Sequence, residues 1–296
     1  MSIGTETVNG IRKSYQIRKK AIIILTSVII MIVLVIAAFY NGLVVRRYTV
    51  ETNKMNRGES LRIVLLTDLH SHIYADDQEE LVSLIRKQQP EVILLVGDIV
   101  DDKIPIRGAE LLLEGIQGIA PAYYVAGNHE FWSFDVEHIK EVIRSYGVRV
   151  LEGEYEQRLA EGTMITFAGI DDPDMEMFGP PETVWTNEMK DAFSQLKYES
   201  GFKILLAHRP ERIEEYKKYD FDLVVSGHTH GGQIRIPLII NGLYAPDEGW
   251  FPKYAGGLYK HGTLTHIVSR GSSNPLRIPR IFNPPEVIVI DIQGSL

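Results

Sequence analysis

Val92-Ile93-Leu94-Leu95-Val96-Gly97-Asp98 is a run of five branched apolar residues that breaks off at a glycine and a carboxylate. Apolar residues at strand length with no alternation predict a strand buried on both faces, as in a parallel sheet. Such a strand delivers the residues after it to the carboxyl edge of its sheet. Asp98 is that carboxylate. The same ending recurs along the chain. Ile63 to Leu66 leads into Thr67-Asp68-Leu69-His70, and Phe221 to Val225 into Ser226-Gly227-His228-Thr229-His230. Ala122 to Val125 leads to Gly127-Asn128-His129-Glu130, and Ile204 to Leu206 into Ala207-His208-Arg209-Pro210. Five strand-like runs that each stop at a metal-ligand residue type point to a metal centre.

Between these runs the apolar period lengthens. Asp77 to Gln89 places Leu81, Val82, Leu84 and Ile85 on one helical face and is stopped by Pro90; Gly108 to Ile119 and Val136 to Tyr146 repeat the pattern. Strand alternating with helix predicts a layered α/β fold. Ahead of it, Val44 to Thr52 reads as an extended leading strand and Asn56 to Ser60 as a turn. The second half is denser in strands, with candidates at 149–151, 164–168, 203–206, 223–225, 232–236, 265–268 and 287–292, and helices only at 187–196 and 211–218. So many strands predict two sheets packed face to face with helices outside. Pro237 to His261, rich in glycine, proline and aromatics, is expected as a long surface excursion that carries binding function.

Composition bounds what the centre can belong to. A chain of 296 residues, 45% of them hydrophobic, can bury a large core, and one domain of roughly 250 residues is expected. A formal charge of -8 argues against general nucleic-acid binding, which needs excess Lys and Arg to displace counterions. Zero cysteines exclude disulfides, zinc-thiolate sites and a thiol nucleophile. Residues 21–40, Ala21 to Tyr40, carry no charge and come directly after Arg18-Lys19-Lys20. A run of that length matches the ~20 residues a helix needs to cross a bilayer and exceeds the apolar part of a signal peptide, so an uncleaved anchor is expected. The tail 1–20 holds Arg12, Lys13, Arg18, Lys19 and Lys20 against Glu6, and is expected to stay in the cytoplasm with the large domain outside. Residues 41–60 then read as linker and leading strand, and 61–296 as the large domain.

Asp68-x-His70, Gly97-Asp98-x-x-Asp101, Gly127-Asn128-His129-Glu130, His208 and Gly227-His228-x-His230, in that order between Leu61 and Gly232, resemble the signature of the calcineurin-like metallophosphoesterase superfamily. The anchor and the strings Ala207 to Glu211, Ser226 to Gln233 and Ser269-Arg270-Gly271 are similar to its bacterial membrane-associated phosphodiesterase branch. The resemblance implies a four-layer α-β-β-α sandwich. It also implies two divalent metal ions, one held by Asp68, His70, Asp98 and His230 and the other by Asp98, Asn128, His208 and His228. It further implies hydrolysis of a phosphodiester or pyrophosphate bond by a metal-bridging hydroxide, with His129 as the catalytic residue that stabilises the transition state or protonates the leaving oxygen. Nitrogen and oxygen donors without sulfur suit manganese, iron or zinc, with manganese favoured.

Taken singly, each of these residues has a plainer reading: Asp98 as a turn carboxylate, Asn128 as a turn former, His208 as a packed histidine. The ordered set makes that reading improbable. Asp101 is expected to support its loop, and Arg209 and Glu130 to orient ligands or phosphate; His72, His138, His261 and His266 stay outside the set. Three rivals remain open: a lipid-linked substrate, a soluble nucleotide or phosphoprotein, and a metal-dependent binding scaffold without turnover. For the first, Tyr244, Trp250, Phe251 and Tyr254 either pack over the second sheet as loop anchors or rest at the membrane interface, the latter with Arg270, Arg277 and Arg280 as a mouth for phosphate.

Overall fold

The computed structural model of the chain describes residues 3–160, 162–274 and 279–295, with side chains from residue 14 onward. It divides into two compact units, Met1–Tyr40 and Asn41–Leu296. The first is one helix, Ile3–Ala38. Its part from Ser14 to Ala38 is long and apolar enough to cross a membrane, with almost none of it buried. The helix ends two residues short of the apolar run, since Phe39 and Tyr40 lie beyond it.

In the larger unit, the strands are β1 (Val44–Thr52), β2 (Ser60–Leu66), β3 (Val92–Val96), β4 (Ala122–Val125), β5 (Arg149–Val150), β6 (Glu154–Ala160) and β7 (Thr163–Ile170). They continue as β8 (Phe202–Ala207), β9 (Leu223–Ser226), β10 (Tyr244–Ala245), β11 (Gly249–Trp250), β12 (Gly257–His261), β13 (Leu264–Val268) and β14 (Glu286–Gly294). One six-stranded sheet runs β1-β14-β2-β3-β4-β5 and the other β12-β13-β9-β8-β7-β6; β10 and β11 form a small hairpin.

Three cores make the four layers. Because side chains alternate along a strand, Ile93 and Leu95 of β3 join helices 79–87, 107–116 and 136–145 in an outer core. Val92, Leu94 and Val96 point the other way, into a core between the sheets shared with Phe167, Ile204 and Val225. Behind the second sheet, Leu205 and Val224 pack on Trp185, Met189, Phe193 and Tyr216 of the far helices. An unbroken apolar strand is therefore what a sheet covered on both faces requires. The expected α-β-β-α sandwich is the observed one.

The expected strand Val44–Thr52 is present, and it pairs in parallel with β14 over its whole length. Several local expectations are corrected. Residues 232–236 form no strand: Gly231 turns the chain at φ 64°, and Ile234 makes a single bridge to Ile281. The last five residues of the supposed excursion are β12, which pairs antiparallel with β13 and edges the second sheet. Tyr254 is buried, whereas Tyr244, Trp250 and Phe251 are exposed. Arg280 is fully buried and cannot line a surface mouth; Arg277 lies outside the described residues.

Candidate metal centre

Strands β2, β3 and β4 are mutually parallel, as are β7, β8, β9 and β13, so each sheet presents its carboxyl ends along one edge. The loops after β2, β3, β4, β8 and β9 bring together Asp68, His70, Asp98, Asn128, His129, His208, His228 and His230. Donor atoms of Asp68, His70 and His230 converge within 4.8 Å of one another, and those of Asp98, His208 and His228 do the same. Asp68 Oδ1 lies 3.6 Å from His230 Nε2, and Asp98 Oδ2 3.8 Å from His70 Nε2 and 3.2 Å from His208 Nε2.

The backbone is bent to achieve this. Asp68, His70, Asp98, His228 and His230 all have positive φ, between 47° and 68°. That conformation costs a non-glycine residue free energy, and it persists where surrounding structure enforces it, as at functional sites. Gly97, at φ 74°, lets the His208 ring approach: a Cβ there would stand 2.3 Å from Nδ1. Glu130, fully buried, accepts from the backbone N–H groups of Asp98, Ile99, Val100 and Gly127 at 2.8 to 2.9 Å, and so ties the loops after β3 and β4 together.

Partners set the tautomers. His208 Nδ1 donates to the Val96 carbonyl at 2.9 Å, which leaves Nε2 as a lone pair facing Asp98. His70 Nδ1 donates to Asp101 at 3.2 Å, so its Nε2 lone pair meets His230 Nε2 at 3.2 Å. Asp247 takes Nε2 of His228 at 3.0 Å, leaving Nδ1. Lone pairs facing carboxylates and one another repel unless positive charge stands between them. Asp68 Oδ2, Asn128 Oδ1 and His208 Nε2 are buried with no hydrogen-bond partner among the described residues. Buried polar atoms left unpaired are expensive. A divalent cation at each group would satisfy all three, so the donor set fits the expected metals.

His129 differs in its surroundings. Its backbone N–H donates to Asp98 at 2.9 Å, its Nδ1 is 2.7 Å from Asp102, and its half-buried ring lines a cavity of about 380 Å³ with His70, His72, His230 and Ser273. Arg209, expected to orient neighbours, is buried against Asp172 at 2.7 Å and Asp174 at 3.1 Å, and also meets Asp247. His138 is exposed; His266 is buried in the second sheet and belongs to none of the donor groups. Sequence reading missed Asp102 and Asp247, and it gave Arg280 to a surface mouth, whereas its Nη2 is 3.4 Å from His230 Nδ1. Of these, only Asp102 stood in a readable position, next to Asp101.

A two-sheet α/β sandwich with buried aspartate, histidine and asparagine donors along one edge is an arrangement suited to metal-dependent phosphoester hydrolysis. Residues 61–232 match the calcineurin-like phosphoesterase family model, and the chain belongs to that family. It is 29% identical to an uncharacterized metallophosphoesterase of Aquifex aeolicus over 86% of this chain and 93% of that one. An uncharacterized metallophosphoesterase of Bacillus subtilis is 26% identical over 84% of this chain and 85% of its own length. A zebrafish transmembrane protein with metallophosphoesterase domain is 31% identical, over 71% of this chain and 51% of its own. Among solved structures, the NAD nucleotidase of Haemophilus influenzae shares the fold with a TM-score of 0.50 at 17% identity, over 72% of this chain; the chain spans 45% of that protein.

Proposed function

We propose that the protein is a membrane-anchored phosphoesterase with a two-metal centre, acting on a phosphodiester or pyrophosphate bond and, among the substrate classes, on a lipid-linked one. Asp68, His70, Asp98 and His230 would hold one ion, and Asp98, Asn128, His208 and His228 the other, with manganese the leading candidate over iron or zinc. When bound, the ions supply Lewis-acid charge and acidify water. The chain's own part is positioning and proton transfer. Asp102 holds the proton of His129 on Nδ1, which leaves Nε2 to exchange a proton with a leaving oxygen in the cavity. The apolar helix is read as the anchor, residues 1–20 as a cytoplasmic tail, and the larger unit as lying on the outer face, supported by the basic residues ahead of Ala21.

The observation that carries this reading is the set of buried, unpartnered donor atoms on Asp68, Asn128 and His208. Asp98→Asn removes the shared anionic donor and tests it. The variant should keep its fold, lose most bound metal and lose turnover of bis(p-nitrophenyl) phosphate in Mn²⁺. Two metals per chain with normal turnover would overturn the assignment, and metal binding without turnover in the native chain would favour a scaffold.

A further inference from the structure

A second cavity, of about 380 Å³, shares none of its lining residues with the one at His129. Three arginines surround it: Arg46 on β1, Arg270 just after β13, and Arg235 beyond the turn after His230. Among the described residues, one acid answers them. Glu286, fully buried at the start of β14, pairs with Arg46 Nε at 2.8 Å, stands 3.5 Å from Arg270 Nε and accepts the Arg270 backbone N–H at 3.0 Å. The lining therefore keeps an excess of positive charge in a chain whose formal net charge is -8.

The guanidiniums are also under-satisfied. Arg235 Nη1 and Arg270 Nε are buried with no hydrogen-bond partner among the described residues, although Arg235 Nη2 reaches Asn241. Burial and the repulsion of Arg270 hold Arg235 down to about 10. An anion with several acceptor oxygens would relieve both deficits, and phosphate matches the guanidinium fork.

The rim is apolar. Ile236 and Ile240 exchange backbone hydrogen bonds of 3.0 and 2.9 Å, closing a tight loop whose tip is Leu238 at 107% and Ile239 at 78% exposure. Leu238 is held at φ 68°. Two aliphatic side chains raised fully into solvent beside a basic pocket fit a bilayer surface, where the acyl region accepts the tip and headgroups accept the charge. In the sequence, Arg46 comes soon after Ala38, the last residue of the apolar helix.

We propose that this pocket holds the headgroup phosphate of an anionic phospholipid while Leu238 and Ile239 enter its acyl region. The site is separate from the metal centre and does not rest on the hydrolytic reading.

The test is lipid retention by the full-length chain in neutral detergent, read by native mass spectrometry and titration with dioleoylphosphatidylglycerol, dioleoylphosphatidylcholine and glycerol 3-phosphate. The wild type should prefer phosphatidylglycerol over phosphatidylcholine, and Arg235→Gln should cut that preference by about fivefold, the loss expected for one arginine at a lipid surface. Arg46→Gln, on the sheet edge, should give a loss in the same direction and serves if the first variant does not fold. Replacing Leu238 and Ile239 by Ser should weaken phosphatidylglycerol binding without changing that of glycerol 3-phosphate. Undiminished preference in a folded Arg235→Gln or Arg46→Gln protein would assign lipid binding to the basic residues flanking the apolar helix and overturn the proposal. So would glycerol 3-phosphate binding as tightly as the lipid, which would make the pocket a site for soluble phosphorylated ligands. No outcome depends on turnover, so the hydrolase reading stands or falls apart from it.

Discussion

His129 and His208 both follow strands, and their different environments support the division of work proposed for them. His208 is fully enclosed, with Nδ1 spent on a carbonyl and Nε2 aimed at Asp98; His129 is half open to the cavity, with Nδ1 spent on Asp102. A residue that exchanges protons needs access to the leaving group, whereas one that holds a cation needs only its lone pair. His129→Ala should therefore retain its metal while kcat falls by ~10² to 10⁴, the range for loss of a general acid. The loss should be smaller on nitrophenyl diesters than on alkyl diesters, because a good leaving group needs no proton. Equal losses on the two, measured side by side, would remove the acid role. The sequence marked His129 by its neighbours in the motif, yet the orienting carboxylate could not be told from Asp101 until both stood in space.

At the scale of the element, the second sheet carries a titratable group that plays no part in the chemistry. His266 lies inside β13 with Nε2 3.1 Å from Ser226 Oγ and its other ring nitrogen unpartnered among the described residues. Burial, with His261 nearby, pushes it from an ordinary 6.5 down to about 3. The folded chain thus keeps this ring neutral where the unfolded chain takes up a proton. Its contribution to stability is complete above pH 6.5 and is withdrawn as pH falls toward 3, at about 1.4 kcal/mol per pH unit in between. His266→Gln should consequently lose less stability than the wild type between pH 6 and pH 4, by about 2 kcal/mol. Urea unfolding at the two pH values measures it, and an identical acid loss in both proteins would show that another group dominates. That His266 stands outside the expected ligand set was read from the sequence, because it fits no donor pattern; its burial in the core was not.

For the whole molecule, the boundary of the larger unit is a matter of sheet closure. Residues 44–52 and 286–294 pair over nine positions, Val44 with Glu286 through Thr52 with Gly294, so the first strand of the domain is held by the last. A fragment of residues 41–296 should then unfold cooperatively and hydrolyse soluble diesters within about twofold of the full chain. A fragment starting at residue 61, where the family match begins, exposes β14 as a new edge. Unpaired edges invite aggregation; that fragment should melt several degrees lower or precipitate. Equal melting temperatures for the two fragments would show that β1 adds nothing to the fold.

The sequence by itself determined the layered fold, the long apolar helix and the types and order of the expected ligands. Each is written locally: an apolar run of strand length, a helical period, a glycine beside a donor residue. The tertiary structure decided what depends on residues distant along the chain. Asp247 reaches His228 from a loop, Arg280 is sunk beside His230 instead of lining a mouth, and Tyr254 turns inward while Trp250 turns out. The arginine pocket is of the same kind, since Arg46, Arg235 and Arg270 share no motif and meet only because the first and last strands pair and the loop after His230 folds back beside them. A side chain's burial and its partners are fixed by which strands become neighbours, and that choice is carried by the free energy of the assembled sheets, not by the residues on either side of it in the chain.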